Sequence, residues 1–259
     1  MSYKLSSEIV VAHGKADFVT FTNVFAHIED LQEVLRSLKI LMSDSTVIII
    51  ENHYLGSVLD GNQFDTFYHE HPRTYSYGSF LQMASTLDTQ IAGVEFPSRY
   101  GGNIRVFLGN SLCVKYADPI DIHALIIRES NFFDDFISLR KNIAIWRRVQ
   151  FKSIQEQFKK HGKLRAKAFP GRAAILVKLL GLDQGLISAV YEKPGSLKIG
   201  HYLPGTRIPI CSDEELFLLP DQTLPILNLA WHIPSEIRSY LVEHEYRGTV
   251  FDIIEAPEL

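Results

Sequence analysis

The chain has 259 residues, enough for one large or two small domains with an ordinary apolar core. Apolar residues make up 46% and charged residues 22%, which excludes a disordered or fibrous chain. Lys and Arg number 26 against 30 Asp and Glu, a net charge of −4 with no long basic run, so the electrostatic footprint of a nucleic-acid binder is missing.

At the start, Met1-Ser2-Tyr3-Lys4 leads into no apolar signal core. Residues 16–21 are a β-branched and aromatic run, and Asn23 to His27 turns the chain into a helix over 28–41. Leu31, Val34, Leu35, Leu38 and Leu41 fall on one face of that helix. Residues 47–50 form a continuous apolar run ending in Glu51, the pattern of a strand buried on both faces and too short to cross a bilayer. Strand, helix and strand at this spacing predict a parallel α/β sheet, while the missing signal core, the short apolar run and the two unpaired cysteines make a reducing, cytoplasmic home the default. Residues 51–77 are polar and aromatic without clear periodicity. A helix is predicted over 77–87, and strands over 91–96 and 104–108 flank Tyr100-Gly101-Gly102-Asn103. Apolar residues keep helical spacing from 118 to 161, giving one or two long bridging helices. The α/β rhythm then resumes, with strands predicted over 164–169, 186–191, 223–231 and 249–254 and helices over 173–180 and 234–245. Ser212-Asp213-Glu214-Glu215 reads as a helix N-terminus. Cys113 and Cys211 form no CxxC pair, which leaves no sequence-local zinc or redox motif, and both read as small buried hydrophobes.

The densest polar cluster is Tyr68-His69-Glu70-His71. Imidazole and carboxylate together move protons near neutral pH. A helical turn would bring Tyr68 and His71 to one side, whereas an extended backbone would separate them. A solvated loop and a His-x-His metal site are the competing readings of the same residues. His27 and Glu51 each follow a predicted strand, where open α/β sheets place ligands, although His27 also suits a capping or core role. Gly101-Gly102 admits either a ligand close to the backbone or a hairpin turn. Arg105 suits a phosphate or an ordinary surface position.

These residues carry a family resemblance. Ala16-Asp17-Phe18 and Asn23-Val24-Phe25-Ala26-His27-Ile28 resemble the segment after the fourth strand of a class I methyltransferase. Tyr54-Leu55-Gly56, Phe64-Asp65-Thr66-Phe67-Tyr68-His69-Glu70-His71 and Gly101-Gly102-Asn103-Ile104-Arg105-Val106 resemble the sugar C-methyltransferases of deoxysugar biosynthesis. Tyr202-Leu203-Pro204-Gly205-Thr206 and Leu229-Ala230-Trp231 resemble their C-terminal domain. The resemblance implies an α/β fold. Residues 1–118 would be part of a Rossmann-like class I methyltransferase sheet, 119–161 bridging helices, and 162–259 a second, smaller Rossmann-like domain.

The activity implied is methylation of the carbon next to the ketone of a nucleotide-linked 4-keto-6-deoxy sugar, with S-adenosylmethionine as cofactor. The resemblance makes His71 the base, with Glu70 and Tyr68 tuning it or bonding the sugar and His27 facing the same cavity. Asn23, Tyr54, Gly101, Gly102, Arg105 and Tyr202 would bind substrate, and Asn23 and Phe25 would lie toward the methyl donor. No metal is expected. The partners implied are the nucleotide-linked keto sugar and either a second copy or a separate N-terminal half, with neither nucleic acid nor membrane. The family's glycine-rich cofactor turn has no counterpart here, so the chain resembles a form truncated at the N-terminus, with an uncovered sheet edge. The alternative is therefore an impaired relative, either a nucleotide-sugar-binding remnant or half of a split enzyme.

Overall fold

The computed structural model describes residues 2–110 and 120–254, so Cys113 and the boundary at 118/119 lie outside the described residues. The protein is α/β and divides into two compact units, Met1–Leu139 and Arg140–Leu259.

The first unit begins with α1 (Tyr3–His13), which the hydrophobic pattern did not predict. Ser6 is its only buried residue, so it has no apolar stripe to read. Its Ser2 cap accepts from the Leu5 amide, and the Tyr3 amide donates to Glu33 at 2.7 Å. Next come β1 (Phe18–Thr22), a 3-10 turn over Phe25–His27 and α2 (Leu31–Leu41). Asp30 caps α2 by accepting from the Glu33 amide at 2.9 Å. Val34, Leu35, Leu38 and Leu41 are buried, as their spacing predicts, each contributing about 1.5–3 kcal/mol if fully removed from water.

β2 (Val47–His53) runs parallel to β1. After it come α3 (Leu55–Asp60), a 3-10 turn over Phe64–Thr66, α4 (Tyr77–Thr86), β3 (Ile91–Glu95), a 3-10 turn over Arg99–Gly101 and β4 (Asn103–Leu108). The sheet order is β1-β2-β4-β3, with β4 antiparallel to both neighbours. The sheet is thus mixed rather than parallel throughout. The short link between β3 and β4 closes a hairpin, whereas a parallel return needs a crossover of a dozen or more residues. β1 is an edge strand, and its Phe18 is 68% exposed. In α5 (Ile122–Ser130), Glu129 accepts from the Tyr77 and Gly78 amides at 2.6 and 2.9 Å, holding the N-terminus of α4. The long helix α6 (Phe132–His161) crosses the division between the units.

The second unit contains β5 (Leu164–Lys167), α7 (Ala173–Leu180), β6 (Ile187–Glu192), β7 (Ile210–Ser212), α8 (Asp213–Leu218), β8 (Ile226–Asn228), α9 (Pro234–Glu243) and β9 (Val250–Asp252). Among the described residues its strands are all parallel, in the order β7-β6-β5-β8-β9. Ser212 and Glu215 form the capping box at the helix start predicted from Ser212-Asp213-Glu214-Glu215. β7 was not predicted, and β8 is much shorter than the 223–231 run, because loop residues on either side of it share its apolar character. Lys167, at the end of β5, is 1% exposed, with Nζ 2.9 and 2.7 Å from the two Asp213 carboxylate oxygens. Burial pushes this ammonium below the ordinary lysine range against the pull of Asp213. Cys211 is half-buried and free.

Candidate active site

The ends of β1 and β2 frame a cavity of about 270 Å³ lined by Asn23, Ala26, His27, Asn52, His53 and His71. Asn23 ends β1 in the left-handed region (φ 53°), which Asn tolerates better than most residues. Its backbone amide donates to the Glu51 carbonyl at 2.8 Å, and its side-chain Oδ1 accepts from Asn103 Nδ2 at 3.2 Å. The chain then makes the 3-10 turn that presents His27. Tyr75 fastens this turn by donating its hydroxyl to the Phe25 carbonyl at 3.2 Å.

Two imidazoles meet across the cavity. His27 and His71 have ring centroids 4.8 Å apart, and His53 lies 5.7 Å from His71. The His27 Nδ1 donates to the Glu70 carbonyl at 2.7 Å, and the His71 Nδ1 donates to the Thr66 carbonyl at 3.2 Å. A carbonyl oxygen can only accept, so each neutral ring carries its proton on Nδ1, which makes Nε2 its basic nitrogen. The backbone at 68–71 is a turn, with the His71 amide donating to the Tyr68 carbonyl at 2.9 Å. It brings the Tyr68 and His71 rings to 4.6 Å and leaves His69 and Glu70 exposed. Tyr68 donates its hydroxyl to Glu70 Oε2 at 3.1 Å.

Behind the cavity lies a charged network centred on Glu51, which is 2% exposed. Arg99 donates to it through Nε at 2.6 Å and Nη2 at 2.5 Å, Asn103 through Nδ2 at 2.8 Å and Arg105 through Nε at 2.8 Å. Burial alone would raise the Glu51 carboxyl, but these donors and the Arg105 charge outweigh it and hold the group at about 2. Arg105 also pairs with Glu95 at 2.6 Å.

The structure brings His71, His27 and Asn23 to one cavity and Tyr68 against its edge. Glu70 supplies its backbone carbonyl to His27 and its carboxylate to Tyr68. Tyr54 is 6% exposed, and burial raises its hydroxyl above the ordinary tyrosine range. The Phe25 ring lies wholly in the core, edge-on to Phe21 and Tyr75. Gly101 and Gly102 both have positive φ and form the turn into β4, where the Gly102 carbonyl accepts from the Tyr54 amide at 3.2 Å. Tyr202 lies in the second unit, half-exposed, with Arg207 over its ring at 5.4 Å.

Sequence reasoning missed Asn52 and His53. Their signal was position alone, because both follow Glu51 at the end of a predicted strand. Sequence reasoning also missed the anchoring of Arg105 within the Glu51 network.

The cavity is small, at about 270 Å³. It lies below the roughly 300–1,000 Å³ range of pockets that enclose drug- or cofactor-sized molecules. With Phe25 fully buried, these residues do not fit a nucleoside-bearing methyl donor, and no step is assigned through one. A more open groove of about 480 Å³ in the second unit is lined partly by Arg147, Arg148 and Lys152 on α6, without an acid–base pair. No group of three His, Cys, Asp or Glu among the described residues is arranged to hold a metal. Nor is any helix among them long and apolar enough to cross a membrane.

Residues 98–255 match the family described as C-methyltransferase C-terminal domain. Along almost the whole chain, 98% of it, the sequence is 30% identical to C-methyltransferase NovU of Streptomyces niveus. The aligned region spans 60% of the length of that relative.

Proposed function

The chain belongs to the family of C-methyltransferase C-terminal domains, and we propose that its first unit performs the proton-abstraction step of a C-methyl transfer. The substrate is a nucleotide-linked 4-keto-6-deoxy sugar, methylated on the carbon next to its ketone. The observation that carries this reading is the His71 ring on the wall of the small cavity, pinned through Nδ1 to the Thr66 carbonyl.

Carbon next to a ketone becomes nucleophilic only after losing a proton far less acidic than an imidazolium. A positioned base and a stabilised oxygen must therefore act together. His71 takes that proton on Nε2 while the C–H electron pair forms the enolate. Its Nδ1 stays bonded to the Thr66 carbonyl, which fixes the ring orientation during the transfer. Tyr68 packs on His71 and is itself held by Glu70. His27 offers a second pinned imidazole to the same ligand.

We also read both units as Rossmann-like and the protein as cytoplasmic. In the second unit, the chain-order arrangement 3-2-1-4-5 of parallel strands supports the Rossmann-like reading. The boundaries read from sequence, at 118 and 161, remain our division of the chain.

The misfit between cavity and donor favours a second reading. Here the chain supplies the sugar-side residues and another polypeptide, a second copy or a separate N-terminal half, holds the donor.

The test is solvent exchange. The chain is incubated in D₂O with uridine- and thymidine-diphosphate-linked 4-keto-6-deoxyhexoses, and the α-proton signal is followed by NMR. We expect exchange that His71→Ala slows about 10²–10⁴-fold. Labelled S-adenosylmethionine added to the same mixture separates the two readings, since methyl transfer supports the first and exchange alone the second. If neither the chain nor its mixtures exchange the proton, the proposed function is wrong.

A further inference from the structure

Asn52 sits at the end of β2, 1% exposed, on the wall of the same cavity as His27 and His71. Among the described residues its side-chain Nδ2 has no hydrogen-bond partner. Buried amides are almost always paired, because an unmet donor loses its hydration and gains nothing in return. Asn103, also buried, donates to both Asn23 and Glu51, and these bonds leave the Asn23 Oδ1 occupied. On the cavity wall, beside His27 and His71, Asn52 keeps a desolvated amide donor with no hydrogen-bond partner among the described residues.

Proton abstraction by an imidazole needs a fixed donor where the negative charge develops. Such a donor acts most strongly when it is buried and committed to no other acceptor. We propose that the Asn52 side-chain amide is the donor to the ketone oxygen of the substrate, stabilising the enolate that forms when His71 removes the α-proton. This rests on the function proposed above. In the step, the Cα–H bond breaks and its proton goes to His71 Nε2. The electron pair forms the C=C bond, and the carbonyl π pair moves onto the oxygen that accepts from Asn52 Nδ2. No oxidant or further reactant is required.

The experiment compares wild type, Asn52→Leu and Asn52→Ala by α-proton exchange in D₂O with the same nucleotide-linked 4-ketohexoses. Each variant is also tested for binding of the corresponding 4-hydroxy sugar nucleotide, for thermal midpoint, and for the infrared carbonyl stretch of bound ¹³C-labelled ketone. We expect exchange to fall about 10²–10³-fold in both variants while the 4-hydroxy compound binds within a few-fold of wild type. The bound carbonyl stretch should shift back toward its frequency in solution. The thermal midpoint of Asn52→Leu should be unchanged or higher, because the substitution removes a buried unmet donor at similar volume. Wild-type exchange rates in the folded variants, or an unshifted carbonyl stretch, would overturn the role of Asn52 and leave the assignment of His71 standing. Absence of exchange in wild type would instead overturn the proposed function, and the role of Asn52 with it.

Discussion

His27 and His71 face one another with ring centroids 4.8 Å apart, and each is tied through Nδ1 to a backbone carbonyl. Two bases oriented on one ligand should not act independently. A double-mutant cycle of His27→Ala and His71→Ala, read by α-proton exchange, should show a coupling of about 0.5–3 kcal/mol. Strictly additive effects would mean that the rings share a wall but not a task.

Glu51 makes the first unit sensitive to acid. Its folded carboxyl is held near 2 against an ordinary 4.5. The stabilisation is therefore complete above pH 4.5 and is lost as pH falls through 4.5 toward 2. At full size it amounts to about 3 kcal/mol. Glu51→Gln should lower the urea midpoint at pH 7 and flatten its fall between pH 4.5 and 2. An equally steep fall in the variant would place the acid sensitivity elsewhere.

Gly102 should not accept a side chain. Its φ is 110°, and a Cβ there would stand 2.4 Å from Ser57 Oγ and 2.5 Å from Ser57 Cβ. Gly102→Ala should destabilise the protein by about 1–3 kcal/mol, seen as a lower thermal midpoint. Ser57→Gly added to it should recover only the steric part, because the backbone strain persists.

Lys167 and Asp213 form a buried pair whose members depend on each other. Lys167→Met leaves the Asp213 carboxylate buried without its cation, at about 3–5 kcal/mol. Adding Asp213→Leu should restore most of that stability. A double variant as weak as the single one would show that the pair holds more than its own charge.

Much of the fold was legible because its signals are local. The stripe of α2, the apolar run of β2 and the capping box of α8 all lie within a few residues of sequence. α1 escaped because it buries only Ser6. The antiparallel placement of β4 escaped because strand direction depends on which chain segments pair.

For the site, the sequence by itself determined the chemistry available: the Tyr68-His69-Glu70-His71 cluster, the His27 turn and the glycine pair before β4. Only the tertiary structure decided which of these residues meet. It turned His71 inward and Glu70 outward, committed Arg105 to Glu51 and Glu95, and placed Asn52 on the cavity wall with no partner for its Nδ2 among the described residues. The physical reason is that a side chain's chemistry is intrinsic, whereas its burial and its partners come from segments far away in the chain.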